Sequence, residues 1–133
     1  MMGVVGVGID AVDLERFRTV LARRPTLAER VFTSGERAYA ARAADPVPRL
    51  AARFAAKEAA MKALGVGIGT VRFADLEVVR TGDGPPTLAV TGRAGELAGA
   101  AGVSRWHLSL THSELVAVAS VVAESGVQPC DPS

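Results

Sequence analysis

Cysteine is almost missing from this 133-residue chain, Cys130 being the only one. A disulfide framework and a cysteine-held metal are therefore excluded, and a reducing, cytoplasmic setting is expected. Aromatic side chains are 5% of the residues and the formal charge is +1, which leaves little for base stacking or a broad electrostatic footprint. No nucleic-acid partner is expected. Long apolar runs are also missing: the start, Met1 to Ile9, is too short to span a bilayer and carries no basic leader or cleavage pattern, so no membrane partner is expected. Lysine is scarce as well, with Lys57 and Lys62 alone beside 13 arginines.

What is present is apolar bulk. Hydrophobic residues are 49% of the chain, enough for one core and one domain, expected over residues 1–124. Residues 125–133 hold two prolines and no periodicity, and are expected to form a disordered tail. Charge is unevenly spread. Residues 1–62 hold 11 Lys or Arg against 7 Asp or Glu, whereas residues 63–133 hold 4 against 7. The basic half can attract an acidic protein, a phosphorylated small molecule or a nucleic acid, and charge alone does not choose among them.

Met2 to Ile9 reads as a strand that delivers Asp10 at its carboxyl end. Asp13 is placed to cap a helix running to about Arg24, Pro25 breaks it, and a short helical turn follows through Arg30. Thr33 and Glu36 spell a capping box that opens another helix, ended by Pro46 and Pro48. Arg49 to Leu64 contains strong helix formers without interruption, and Gly65 supplies the stop. Phe73 to Arg80 and Thr87 to Val90 read as strands joined by a turn through Gly82 to Pro85, after which Thr91 caps a helix ending near Gly102. Trp106 to Leu110 and Leu115 to Val122 read as a hairpin around Thr111 to Glu114, the second strand apolar on both faces and so expected to be fully buried.

A carboxylate after an apolar strand, such as Asp10, needs a metal, a cation or backbone donors if it is buried, although a plain helix cap or turn also accounts for it. Glu58 shares a helix face with Phe54, Met61 and Lys62, at spacings of three and four residues. An ordinary Glu58–Lys62 surface pair is one reading of that face. The other notes that both lysines of an arginine-rich chain flank the same glutamate. A compact ammonium suits phosphate, and two oxygen ligands with phosphate oxygens suit Mg²⁺, so Asp10, Glu58 and Lys62 could together grip a metal pyrophosphate.

Gly6-Val7-Gly8-Ile9-Asp10-Ala11 formally matches a dinucleotide fingerprint, but 133 residues ending in hairpins cannot supply the βαβ units that fold needs. Gly65, Gly67 and Gly69 follow a helix, face its negative end, and so do not form a phosphate loop of the usual kind.

Gly8-Ile9-Asp10 with Arg16, then Arg53-Phe54-Ala55-Ala56-Lys57-Glu58-Ala59 with Lys62-Ala63-Leu64-Gly65, resembles the bacterial holo-acyl-carrier-protein synthase family. His107 to His112 resembles the segment before that family's last strand, and the similarity covers about residues 2–124. The resemblance implies an α+β fold, a small antiparallel sheet with a long packed helix, 4′-phosphopantetheinyl transferase-like and trimer-forming, with coenzyme A bound between subunits. It implies transfer of the 4′-phosphopantetheine group from coenzyme A to a serine of an apo acyl carrier protein, with release of 3′,5′-ADP. Mg²⁺, with Mn²⁺ as a substitute, would be held by Asp10 and Glu58. Lys62, Arg53 and His112 would meet the nucleotide and its phosphates, and Arg16, Arg23 and Arg24 would form the carrier-docking surface, with Arg30 a further addition. Asp10, Glu58 and Lys62 are the expected catalytic set. Two departures stand out: Met61 lies where many relatives carry a small or hydroxyl residue, and the tail runs past the usual end. The alternative class is a non-catalytic trimeric module that binds a nucleotide or an acidic protein.

Overall fold

A computed structural model describes residues 3–126. Its strands are β1 (Gly3–Asp13), β2 (Leu76–Val79), β3 (Thr87–Val90), β4 (Arg105–His112) and β5 (Val116–Ser125). Its helices are α1 (Leu14–Arg23), α2 (Leu27–Val31), α3 (Ser34–Ala41), α4 (Val47–Leu64) and α5 (Gly92–Ala100), with a single 3₁₀ turn at Phe73–Asp75. The strands form an antiparallel three-stranded sheet in the order β1-β5-β4 and a separate β2-β3 ribbon. The expected α+β arrangement is what forms.

Local signals explain most boundaries. The Asp13 side chain accepts from the Arg16 N–H and starts α1, and Thr33 and Glu36 make both bonds of the capping box. Gly65 ends α4 at φ 74°, a left-handed turn glycine adopts at little cost.

Helix α4 lies across one face of the sheet and makes the core with β1 and β5. The packing is unusually flat because both surfaces are small: Ala51, Ala55, Ala56, Ala59 and Ala60 on α4 and Ala117, Ala119 and Ala123 on β5 are all fully buried. On β1 even alanine is too large. A Cβ at Gly6 would run into the Ala63 carbonyl oxygen, and one at Gly8 into that of Ala59. These two glycines let β1 approach the helix backbone and so set the distance between Asp10 and Glu58.

Several elements differ from the sequence reading. Strand β1 continues past Asp10 to Asp13, because pairing with β5 holds through Asp13 opposite Val116. Helix α3 stops at Ala41, and Pro46 and Pro48 open α4 instead of closing α3, since a first turn tolerates proline. Phe73–Asp75 is a 3₁₀ turn, not the start of a strand. Thr91 precedes α5 but makes no side-chain cap bond; the Asp75 carboxylate sits against Gly92 at that helix start instead. Strand β5 alternates buried and partly exposed positions, because α4 covers only one sheet face. It also includes Ser125, so the folded part runs one residue beyond the expected boundary, while residues 127–133 of the expected tail lie outside the described residues.

Candidate active site

Asp10 is paired with Ala119 in the sheet, and Ala119 is buried toward α4. Directly opposed residues share a face, so Asp10 also points at the helix. There it meets Lys62, whose Nζ donates to Asp10 Oδ1 at 3.0 Å and to the Ile9 carbonyl oxygen at 3.0 Å. The Asp10 side chain is 16% exposed and that of Lys62 56%, so one is sheltered and the other opens to solvent. Lys62 thus pairs across to the strand and not along its own helix.

Glu58 completes the cluster. Its carboxyl is pushed up to about 7, first by burial, then by a hydrogen bond to Asp10 and by that residue's charge, with Lys62 acting in the opposite direction. Two carboxylates this close cannot both ionise freely near neutrality.

Through Glu58 the cluster borders a cavity of about 490 Å³. Glu58, Asp13 and Arg16 lie at its lining, while its walls are Phe17, Leu21, Val31, Phe54 and Phe73 among others. The rings form a continuous layer, with Phe17 and Phe54 centroids 5.5 Å apart and Phe54 and Phe73 5.6 Å apart. Arg16 and Arg23 are both exposed on α1 seven residues apart, hence on one side of that helix. Arg24 follows α1 and is exposed.

The other expected residues lie apart. Arg53 is 4% exposed, with its guanidinium 4.3 Å from the Tyr39 ring centroid. Arg49 sits at the same 4.3 Å from that ring and donates to the Tyr39 carbonyl oxygen. Arg53 Nε is buried without a partner, and burial lowers the residue's pKa. His112 is the last residue of β4, where Ala117 of β5 separates it from Val12 of β1. It shares the Asp10 face of the sheet but stands two strands away, roughly 10 Å at normal strand spacing. His107, to which no role is assigned, has Nε2 3.0 Å from Glu124 Oε1.

Sequence reasoning missed the aromatic cavity, because Phe17, Phe54 and Phe73 have no common spacing. It also left the duty of Lys57 open. Lys57 is fully buried, with Nζ 2.8 Å from Glu36 Oε1 and donating to the Phe73 and Leu76 carbonyl oxygens at 3.0 Å each. Glu36 in turn accepts from the N–H groups of Thr33 and Val78. Burial lowers the Lys57 pKa and Glu36 opposes that shift. The only hint in the sequence was the scarcity of lysine.

Two carboxylates and an ammonium beside an apolar cavity that Glu58 and Arg16 line define a protein that handles an anionic group bearing an extended, partly apolar body. Comparison with known proteins is more specific. The family model of the 4′-phosphopantetheinyl transferase superfamily matches residues 6–120. The holo-[acyl-carrier-protein] synthase of Frankia casuarinae is 50% identical over 124 residues, 93% of this chain and 100% of that relative. The crystal structure of the Neisseria meningitidis enzyme of that name superposes with a TM-score of 0.82 at 34% identity, covering 91% of this chain and 98% of that one. The Bacillus anthracis structure, in complex with CoA (3′,5′-ADP), gives 0.77 at 38% identity, covering 95% of this chain and 100% of that one. The chain belongs to the 4′-phosphopantetheinyl transferase superfamily.

Proposed function

We propose that this chain transfers the 4′-phosphopantetheine arm of coenzyme A to a serine of an apo acyl carrier protein, releasing 3′,5′-ADP. The convergence of Asp10, Glu58 and Lys62 beside a cavity that Glu58 and Arg16 line carries the reading. The Bacillus anthracis relative bound to CoA (3′,5′-ADP) and the Helicobacter pylori relative in complex with coenzyme A support the donor.

Asp10 and Glu58 would hold Mg²⁺, or Mn²⁺ in its place. Their oxygens suit a hard cation, and a divalent charge relieves the repulsion between the two carboxylates, which adds to the burial that pushes Glu58 up to about 7. No cluster of three or more metal-ligating side chains occurs among the described residues, and substrate oxygens and water would have to complete the shell. The ion would supply charge neutralisation at the pyrophosphate. Lys62 adds a positive charge there as a mobile point donor. The serine oxygen attacks the phosphorus that bears the pantetheine arm, the bond to the bridging pyrophosphate oxygen breaks, and the nucleotide departs with that oxygen and its electron pair. The serine proton passes to the Asp10–Glu58 pair, directly or through a water.

The assembly belongs to the same reading. Val7 and Ile9, 65% and 64% exposed, lie with Val118 and Val122 on the sheet face that α4 leaves uncovered. Self-association would cover that face, and the trimer is the expected form. His112, at the far edge of the sheet, would then serve a neighbouring subunit's nucleotide. Arg53, with Arg49 and Arg80 nearby, gives a positive cluster for nucleotide phosphate. No described helix is long and apolar enough to cross a membrane, and a cytoplasmic location is part of the proposal.

Intact-mass spectrometry of an apo carrier incubated with this protein, coenzyme A and Mg²⁺ tests the reading, with EDTA and serine-to-alanine carrier controls. A phosphopantetheine-sized gain that requires both metal and serine is the expected result. No gain with carriers from fatty-acid, polyketide and peptide synthases overturns it.

A further inference from the structure

All four phenylalanines of the chain, Phe17, Phe32, Phe54 and Phe73, line the cavity beside Glu58. They touch one after another. Phe32 meets Phe17 edge-on at 6.4 Å, Phe17 meets Phe54 at 5.5 Å, and Phe54 stacks on Phe73 at 5.6 Å, all between ring centroids. The two ends of this row, Phe32 and Phe73, come together at one atom. Lys57 Nζ lies 5.8 Å from the Phe32 centroid and donates to the Phe73 carbonyl oxygen at 3.0 Å. Four rings and one ammonium therefore close a circuit. Lys57 is fully buried and directly precedes Glu58 on α4, yet no step of the transfer uses it.

A buried ion pair is ordinarily structural, and the pairing with Glu36 alone would signify no more. Three observations give Lys57 a narrower duty. Its three hydrogens have three acceptors, Glu36 Oε1, Phe73 O and Leu76 O, a pattern that a planar guanidinium cannot reproduce from one atom. That accounts for a lysine at this point of an arginine-rich chain. The pair also takes up the Leu76 carbonyl and the Val78 N–H, groups two residues apart on β2, whose only strand neighbour among the described residues is β3. Lastly, Phe73 is half-buried and sits in a lone 3₁₀ turn, a weakly bonded element, so its ring depends on the ion behind it for its place.

We infer that Lys57 is a positioning residue for the transfer: it holds the four-ring wall of the cavity in register with the turn of α4 that carries Glu58. The inference rests on the proposed transfer reaction. Being sealed behind the wall, the ammonium touches neither substrate nor metal, and it acts through Phe32 and residues 73–78. Without it the wall recedes from Glu58 and the bound groups lose their alignment, which slows the reacting step more than it weakens binding.

The test separates positioning from stability. Replacing both partners, Lys57→Met with Glu36→Leu, should return most of the stability lost in Lys57→Met alone. The double variant's kcat should nevertheless stay about tenfold below the parent, with the coenzyme A and carrier KM values within about threefold. Lys57→Arg keeps a charge opposite Glu36 without the three-acceptor pattern and should show the same kcat loss. Recovery of kcat together with stability, or full kcat in Lys57→Arg, overturns the inference. Phe73→Ala alters the wall alone, and combined with the double variant it should lower kcat by no more than about twofold beyond the larger separate effect. Losses that simply multiply overturn the route through Phe73. Amide exchange over residues 73–78 should quicken in the double variant while the β1-β5-β4 sheet keeps its protection. That readout needs no turnover, so it stands apart from failure of the reaction itself, and unchanged exchange overturns the inference.

Discussion

Lys57 Nζ lies 2.8 Å from Glu36 Oε1 with both side chains wholly out of water. The ammonium's remaining donors go to the carbonyls of Phe73 and Leu76, so one buried ion fastens α4 to α3, to the 3₁₀ turn and to β2. Phe73 walls the cavity that Glu58, the next residue along α4, also lines. Removing one partner strands a buried charge and should cost about 3–5 kcal/mol, whereas replacing both by apolar residues of similar volume should recover most of that loss. Urea unfolding of Lys57→Met, Glu36→Leu and the double variant checks this. A double-variant loss equal to the sum of the two single losses would show that the pair is not coupled.

Glu58 gives the protein a pH signature when metal is absent. Its carboxyl is raised from 4.5 to about 7, so between those values the folded chain holds a proton that the unfolded chain has lost. Stability contributed by this group is therefore present below pH 4.5, falls as pH rises through the window, and is gone above about 7. After solvent screening, the effect should be about 1–2 kcal/mol. Melting temperatures in EDTA at pH 5 and pH 8 should differ less for Glu58→Gln than for the parent. With metal supplied, Asp10→Ala and Glu58→Ala should each abolish transfer while the fold persists, and full activity in either would remove the metal assignment.

Gly8→Ala should be among the most damaging small substitutions, because its methyl would press on the Ala59 carbonyl oxygen and force β1 away from α4. Overpacking of this kind costs about 1–3 kcal/mol or more. It should also lower transfer by separating Asp10 from Glu58. Gly99→Ala is the matched control: it lies on α5 with nothing near its added methyl and should be neutral or stabilising, by about 0.5–1 kcal/mol. Thermal unfolding and turnover of both variants decide the point.

Arg16→Ala should chiefly raise the carrier KM, most strongly at low salt, since an exposed cation at the cavity edge acts on encounter. Transfer rates with each substrate varied in turn are the measurement. A raised coenzyme A KM beside an unchanged carrier KM would move Arg16 to the nucleotide site.

Val7→Asp and Ile9→Asp place charge on the uncovered sheet face and should break the proposed trimer into single chains. Light scattering after size exclusion reads this directly. If the trimer persists with both substitutions, another surface joins the subunits.

The fold and the candidate site were legible where chemistry is local. Asp13, the Thr33–Glu36 box and Gly65 announce helix ends by contacts within a few residues, and Asp10 stood out after an apolar strand and Glu58 as the one carboxylate of α4. Features that depend on distant partners were not visible. The burial of Arg53 against Tyr39, the pairing of Lys62 with Asp10 and the aromatic wall exist only once the sheet meets α4. Strand β5 misled because an apolar sequence cannot say whether its second face is covered by a helix or by another copy of the chain.

The alanine seam between α4 and the sheet makes the tolerance of this core one-sided. Where almost every contacting group, Val121 apart, is already a methyl or a hydrogen, most substitutions add volume, and there is little left to remove. Adaptive change and engineered stabilisation should therefore concentrate away from the seam, around the aromatic cavity and the α5 surface. The seam itself behaves as a fixed gauge: it holds strand and helix at a spacing that bulkier residues cannot reproduce by repacking.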